Sequence, residues 1–292
     1  MDRVFADPEA VLDEIRSMAP FSTIGSQFAG PEVNEVPNWF MASLTESPVF
    51  HDPVWIPAAC EAFGAKIVRP LRCALNLNPP APGSPPHLDM SSFRGFAAPE
   101  APIWLLGVMG RSHLFLDWLV PIASGIAWFW RGNGGELEYW ADGANRPPSA
   151  ETSPLWNVGV MSDNEVMWHR VGAIGPAERR AEFGSGVPRG ATLHLAAEGW
   201  EMRYDGRQLT TYRADEVRIS IVWKGLVFRD EDHLASFENH DYDLRIDQVV
   251  SIFAEDLADR GLPAPCPSDP LNNPEWKALL ERTYRSPFDQ AD

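Results

Sequence analysis

Arg72-Cys73-Ala74-Leu75-Asn76-Leu77-Asn78 is the stretch whose pattern decides the fold. Arg72, Ala74, Asn76 and Asn78 fall on one side; Cys73, Leu75 and Leu77, continuing from Leu71, fall on the other. A period of two is that of an extended strand, whose successive side chains leave opposite faces. The apolar row asks for a core. The polar row suits the wall of a barrel whose lumen is a binding site. Immediately downstream, Pro79 to Pro86 reads as a loop that delivers His87-Leu88-Asp89. In extended chain His87 and Asp89 face the same side and offer one imidazole and one carboxylate to one ion.

Working outward, strand follows strand. Ala127-Trp128-Phe129-Trp130 and Glu136-Leu137-Glu138-Tyr139-Trp140 flank the glycine-rich Arg131–Gly135 and read as a hairpin. Asn157–Met161 and Val166–Val171 are strands on either side of Ser162-Asp163-Asn164-Glu165. Thr192–Leu195 and Glu201–Tyr204 form a further hairpin, and Asp205-Gly206 leads on to Gln208–Tyr212. Val217-Arg218-Ile219-Ser220-Ile221-Val222-Trp223 is the cleanest strand of all. Residues 101–123 are apolar, and periodicity does not separate helix from buried strand there.

The flanks read as helices. Asp7-Pro8 caps and starts one over Pro8–Met18; Asp52-Pro53 repeats the signal before a helix that stops at Gly64. Between them, residues 19–50 read as loop, with a short helix near Trp39–Leu44, and a lid is one use for such a loop. At the other end Ile246, Val249, Val250, Phe253 and Leu257 form an apolar stripe expected to dock on the strand core, and Pro274–Tyr284 is a last helix. The expectation is therefore a mainly β chain, 1–292, organised as one domain. Helices fill 1–65, a double-sheet jelly-roll (cupin-like) core of about eight to ten strands fills 66–228, and helices return over 229–292. A parallel sheet is disfavoured, because no crossover helices separate the strands.

Composition narrows the partners. A net charge of −17 without a basic run argues against nucleic acid. No apolar stretch reaches the length of a membrane span, and the first residues lack the layout of a signal peptide. Three scattered cysteines argue against a disulfide framework and for a cytoplasmic setting.

A His-x-Asp early in a jelly-roll strand run invites a second histidine late in it. His169 fits, 82 residues on, in a strand that would show Met167 and Val171 on the same face. Two imidazoles and one carboxylate on one face of an octahedral ion leave three positions open, the arrangement of non-haem Fe(II) oxygenases. A 2-oxo acid filling two of them needs a cation for its far carboxylate, preferably Arg. Arg218 and Ser220 point the same way from one strand. Arg170, Arg179 and Arg180 are rival anchors; Arg170 would point away from His169, and the other two sit in loop.

The order His87-x-Asp89, His169, Arg218-x-Ser220 resembles the Fe(II)/2-oxoglutarate-dependent oxygenases. Arg-x-Ser is similar to the co-substrate motif of the isopenicillin-N-synthase-like branch. The run Asn76, Pro79-Pro80 and His87-x-Asp89, with Gly134-Gly135-Glu136-Leu137 between the ligands, resembles phytanoyl-CoA-hydroxylase-like and prolyl-hydroxylase-like members. The resemblance spans about residues 66–228. It implies that His87, Asp89 and His169 hold Fe(II). It further implies that 2-oxoglutarate chelates the iron, and that Arg218, Ser220 and Asn76 bind this co-substrate. The implied reaction takes O2 and a small organic molecule, oxidises a C–H bond by hydroxylation, desaturation or cyclisation, and yields succinate and CO2. Asp89 fills the position that related halogenases leave for chloride, so halogenation is not expected. The 49-residue step from His169 to Arg218 is longer than in much of the family, which makes the Thr192–Tyr212 hairpins an insertion at the barrel rim. Competing readings are a non-catalytic cupin-like binding protein, a metal-dependent cupin enzyme that uses no 2-oxo acid, and a protein or peptide hydroxylase of the same superfamily. Arg94 is a lesser candidate for substrate contact; Trp128, Trp130 and Trp168 are candidates to shape the cavity; His113, His194, His233 and His240 read as structural.

Overall fold

The computed structural model describes residues 3–23, 39–99, 101–181 and 187–289. Its elements begin with α1 (Pro8–Ser17), β1 (Phe21–Thr23), β2 (Phe40–Ser43), α2 (Trp55–Phe63), β3 (Ile67–Asn78) and α3 (Ile103–Ser112). The middle holds β4 (Ile122–Trp130), β5 (Leu137–Tyr139), β6 (Ser149–Glu151), β7 (Leu155–Ser162), β8 (His169–Val171) and α4 (Ala177–Ala181). Then come β9 (Thr192–Ala196), β10 (Gly199–Tyr204), β11 (Arg207–Arg213), β12 (Arg218–Phe228), α5 (Glu231–Glu238), α6 (Ile246–Asp259) and α7 (Pro274–Thr283).

The strands form two antiparallel sheets. The larger runs β11-β10-β9-β1-β2-β3-β12-β4-β7 and the smaller β6-β5-β8. The segment carrying His87 lies along β8 and the residues after it through single bridges, His87 to His169 and Ala81 to Ile174. With that added ribbon, β3, β12 and β4 face residues 81–87, β8 and Leu137 of β5 across a cavity. This is the jelly roll expected from the sequence.

Two connections that read as simple strand-turn-strand steps cross between the sheets instead. Trp130 ends β4 in the large sheet, whereas Leu137 opens β5 in the small one. Gly134 and Gly135 make the crossing at φ of 75° and 70°, which side-chain-bearing residues avoid. The turn's hydrogen bonds accordingly go elsewhere: the Gly135 N–H donates to the Ala173 carbonyl (3.0 Å) and the Trp130 indole to the Gly134 carbonyl (2.8 Å). β7 and β8 are divided between the sheets in the same way, and of Val166–Val171 only His169–Val171 is strand. The β9–β10 and β10–β11 hairpins form as expected, the second turning on Asp205-Gly206 at φ of 48° and 72°.

Residues 39–44 are not a short helix. β2 pairs with β3, Phe40 opposite Leu77 and Ala42 opposite Leu75, and so satisfies an edge of backbone donors and acceptors that β3 would otherwise expose. β1 then joins β2 to β9. The sheet thus begins before residue 66, and the Thr192–Tyr212 hairpins extend the large sheet sideways rather than sit on its rim. In the stretch 19–50, for which a lid is one use, residues 24–38 lie outside the described residues.

The apolar row of β3 does face a core. Cys73, Leu75 and Leu77 join Ile219, Ile221 and Trp223 of β12 beneath α1 and α2. Trp55 of α2 stacks on Trp223 with centroids 5.7 Å apart. α1 starts as expected: Pro8 opens it and the Asp7 carboxylate accepts from the Ala10 N–H at 3.1 Å. Asp52 instead accepts from Val54 at 3.0 Å, a turn that delays α2 to Trp55; Gly64 ends that helix at φ 59°. The α6 stripe does not dock on the strands. Val249, Val250, Phe253 and Leu257 pack with Leu105 and Met109 of α3 and with Trp276 and Leu280 of α7 in a second, helical core. Among the described residues no helix is long and apolar enough to cross a membrane.

Candidate metal centre

His87 and His169 meet in a β-bridge. The N–H of each donates to the carbonyl of the other, at 2.9 and 3.0 Å, and the ring centroids lie 4.5 Å apart. Each Nδ1 stands 3.0 Å from a backbone carbonyl two residues earlier, Pro85 for His87 and Met167 for His169. A carbonyl only accepts, so Nδ1 carries the proton and the lone pair of each ring lies on Nε2. Asp89 follows in the same extended segment. Its N–H donates to the Asn164 carbonyl at 2.8 Å, and its Oδ1 is 3.6 Å from His169 Nε2. One ligand atom from each of the three residues lies within 4.8 Å of the others. Two imidazole nitrogens and one carboxylate oxygen so gathered match a 2-His-1-carboxylate donor set.

Burial alone would push the Asp89 carboxyl up, but the adjoining His169 ring and Lys224 ammonium hold it well below the usual carboxylate range. It is anionic at any ordinary pH, as a metal ligand must be.

The polar row of β3 and one face of β12 line the same cavity of about 410 Å³. Ser220 pairs with Asn76 on one side and with Trp128 of β4 on the other, so these three residues share one level of the barrel. Arg218 lies one level deeper, only 2% exposed. Its Nε donates to the Gly135 carbonyl at 2.9 Å, an Nη contacts Ser220 Oγ at 3.3 Å, and the guanidinium lies 5.9 Å from the Trp128 ring. Among the described residues no carboxylate forms an ion pair with it. Burial lowers its pKa to about 10, partly offset by Glu136, so the group stays cationic at neutral pH. A buried cation is costly without a counter-charge, and this one faces a cavity that also holds the three ligand atoms.

The rival anchors are engaged elsewhere. Arg170 pairs with Glu138, on the side of β8 away from His169. Arg179 pairs with Glu216 at 3.1 Å, and Arg180 donates to the Gly175 carbonyl at 2.7 Å. Arg94 holds Ser236 and Asp241 and ties its loop to α5. Trp128 lines the cavity. Trp130 packs between the sheets. Trp168 borders two neighbouring cavities, one of about 490 Å³ that reaches His87 and Asp89 and one of about 800 Å³.

Two residues absent from the sequence-based set join the centre. Lys224, on the same face of β12 as Arg218 and Ser220, donates to Asp89 Oδ2 at 2.6 Å and to Glu165 Oε1 at 2.5 Å. Glu165 is 2% exposed, and burial drives its carboxyl up to about 7 against the pull of Lys224. The alternation that put Arg218 and Ser220 in the lumen reaches Lys224 when the strand is continued past Trp223.

No known family profile matches the chain, and no curated protein sequence does. Solved structures do. One is a 2OG-Fe(II) oxygenase family oxidoreductase from Burkholderia pseudomallei, at 12% identity over 75% of this chain and 78% of that one, TM-score 0.39. Another is HygX from Streptomyces hygroscopicus, solved with nickel, 2-oxoglutarate and hygromycin B, at 12% identity over 78% and 81%, TM-score 0.38. A third is SnoN, a non-haem alpha-ketoglutarate-dependent epimerase from nogalamycin biosynthesis, at 12% identity over 84% and 87%, TM-score 0.40.

Proposed function

We propose that the chain is a non-haem Fe(II)/2-oxoglutarate-dependent oxygenase acting on a small organic molecule. The observation that carries this reading is Arg218: a buried guanidinium, in contact with no carboxylate among the described residues, in the same cavity as His87, Asp89 and His169. A metal centre alone would fit many cupins. A metal centre with a desolvated cation deep in the same barrel fits a co-substrate that has a chelating end and a carboxylate end.

The donor set suits Fe(II): His87 and His169 would bind through Nε2 and Asp89 through Oδ1, leaving three positions of an octahedral ion open. When bound, the iron supplies O2 activation coupled to oxidative decarboxylation of 2-oxoglutarate to succinate and CO2. The chain's own residues bind and orient. Arg218 receives the C5 carboxylate through its remaining N–H donors, with Ser220 and Asn76 beside it. Trp128 walls off water and strengthens that pairing by lowering the local dielectric. Hydroxylation, desaturation and ring closure all begin from this arrangement, and the substrate decides among them. The setting is cytoplasmic in this reading.

The test is spectroscopic. Anaerobic addition of Fe(II) and 2-oxoglutarate should produce a visible charge-transfer band that His169→Ala abolishes. No band with the native protein sinks the proposal.

A further inference from the structure

We infer that Lys224 is a positioning residue for the metal centre: it holds Asp89 so that only one carboxylate oxygen is offered to the ion. This rests on the metal reading above and concerns a residue outside the triad.

Each ligand needs an orienting partner, because an unsupported side chain samples several rotamers and loses affinity. His87 and His169 find theirs in the carbonyls of Pro85 and Met167. Asp89 finds its partner in Lys224. The two oxygens of Asp89 are divided: Oδ1 faces His169 Nε2 at 3.6 Å, and Oδ2 accepts from Lys224 Nζ at 2.6 Å. A carboxylate held at one oxygen by an ammonium presents the other, so Asp89 takes one coordination position instead of two. The positions needed by a chelating co-substrate and O2 stay open.

The placement of Lys224 makes it a rigid tether. It lies on β12, which is bonded on one side to β3 and on the other to β4, whereas Asp89 lies in a segment without regular structure. Lys224 is 3% exposed and would be costly to bury beside a cation without a counter-charge. Glu165 provides one, contacting the same Nζ. The turn carrying Glu165 also grips the ligand segment directly: the Asn164 carbonyl accepts from the Asp89 N–H at 2.8 Å, and the Glu165 carbonyl from Ser91 Oγ at 3.4 Å. One turn therefore fixes the backbone of Asp89 and, through Lys224, its side chain.

The alternative is that Lys224 only neutralises Glu165. The variants Lys224→Met, Glu165→Gln and the two combined separate these roles, read by titration with Co(II) and its ligand-field absorption. The double variant removes the Glu165 charge together with that of Lys224, so the deeply buried Glu165 is not left unpaired and the test stays valid if Lys224→Met alone fails to fold. The expected result is that the double variant binds Co(II) about 10- to 100-fold more weakly than the native chain, with shifted absorption bands, while Glu165→Gln alone stays close to native. A double variant with native affinity and spectrum overturns the inference and leaves the metal reading standing. A native protein that takes up no Co(II) overturns the metal reading, and this inference with it.

Discussion

His87 and His169 are bonded backbone to backbone, N–H to carbonyl in both directions, although 82 residues separate them. The bridge sets the two imidazoles side by side before any ion is present, so the centre is preformed to that extent. Binding of Ni(II), which is redox-inert here, should therefore raise the melting temperature. Ligand at about 100 times its Kd adds about 2.7 kcal/mol of stability. His87→Ala, at an exposed position, should fold normally and lose the metal-dependent rise, as differential scanning fluorimetry would show. A rise that persists in His87→Ala contradicts its role as a ligand.

Replacing Arg218 by Met should spare the metal and impair the co-substrate. Removing one partner of a buried charge pair costs about 2–5 kcal/mol, which is a rise of about 30-fold or more in the 2-oxoglutarate concentration needed. Co(II) affinity should stay near native. Lys at this position should restore only part of the loss, since an ammonium lacks the planar two-donor edge. Titration of succinate formation against 2-oxoglutarate checks both.

Gly135→Ala should reproduce a milder form of the same defect from a residue that touches neither ligand nor metal. A Cβ there would stand 2.8 Å from Arg218 Cδ, and φ of 70° disfavours any side chain. The guanidinium should shift, raising the 2-oxoglutarate KM more than it lowers kcat.

Trp223→Ala should destabilise the chain by about 3–5 kcal/mol, the range for deleting a buried aromatic ring. Its ring is fully buried, stacks on Trp55 and donates to the Phe50 carbonyl at 3.3 Å. Urea denaturation measures the loss.

Cys73 should behave as an inert thiol. Burial pushes it up to about 12, so the folded chain keeps it protonated where the unfolded chain ionises it near 9.0. Its contribution to stability is intact below pH 9 and is lost as pH rises toward 12. Comparing native and Cys73→Ala unfolding across that window isolates it. At pH 8 iodoacetamide should modify exposed Cys266 and reach Cys73 only in denaturant.

Much of the centre was legible because its residues obey local rules. Two-residue alternation assigned Asn76, Arg218 and Ser220 to one side of their strands, and His87-x-Asp89 is a two-residue spacing as well. The helix start at Pro8 follows from the Asp7 cap with proline in the first turn, and the structure shows the same arrangement, Asn273 before Pro274, at the last helix. Lys224 escapes for a local reason too: the clean alternation stops at Trp223, five residues short of where the strand's pairing with β3 runs out.

What escaped was everything set by a distant partner. A glycine-rich turn between two β-prone runs looks the same whether the second strand folds back on the first or crosses to another sheet. At Gly134-Gly135 the crossing is selected by hydrogen bonds to Ala173 and Trp130, not by the turn itself. Phe40–Ser43 became a strand because β3 offered an unpaired edge, and the α6 stripe chose helices because α1 and α2 already cover the outer core. By itself the sequence determined which side chains face the lumen, since that follows from backbone geometry over a few residues. Only the tertiary structure decided which lumen-facing groups meet. The pairing of Lys224 with Asp89 and Glu165, and the lack of a contacting carboxylate for Arg218 among the described residues, depend on how two sheets close on each other. That closure is fixed by hydrogen bonds and packing between segments far apart in the chain.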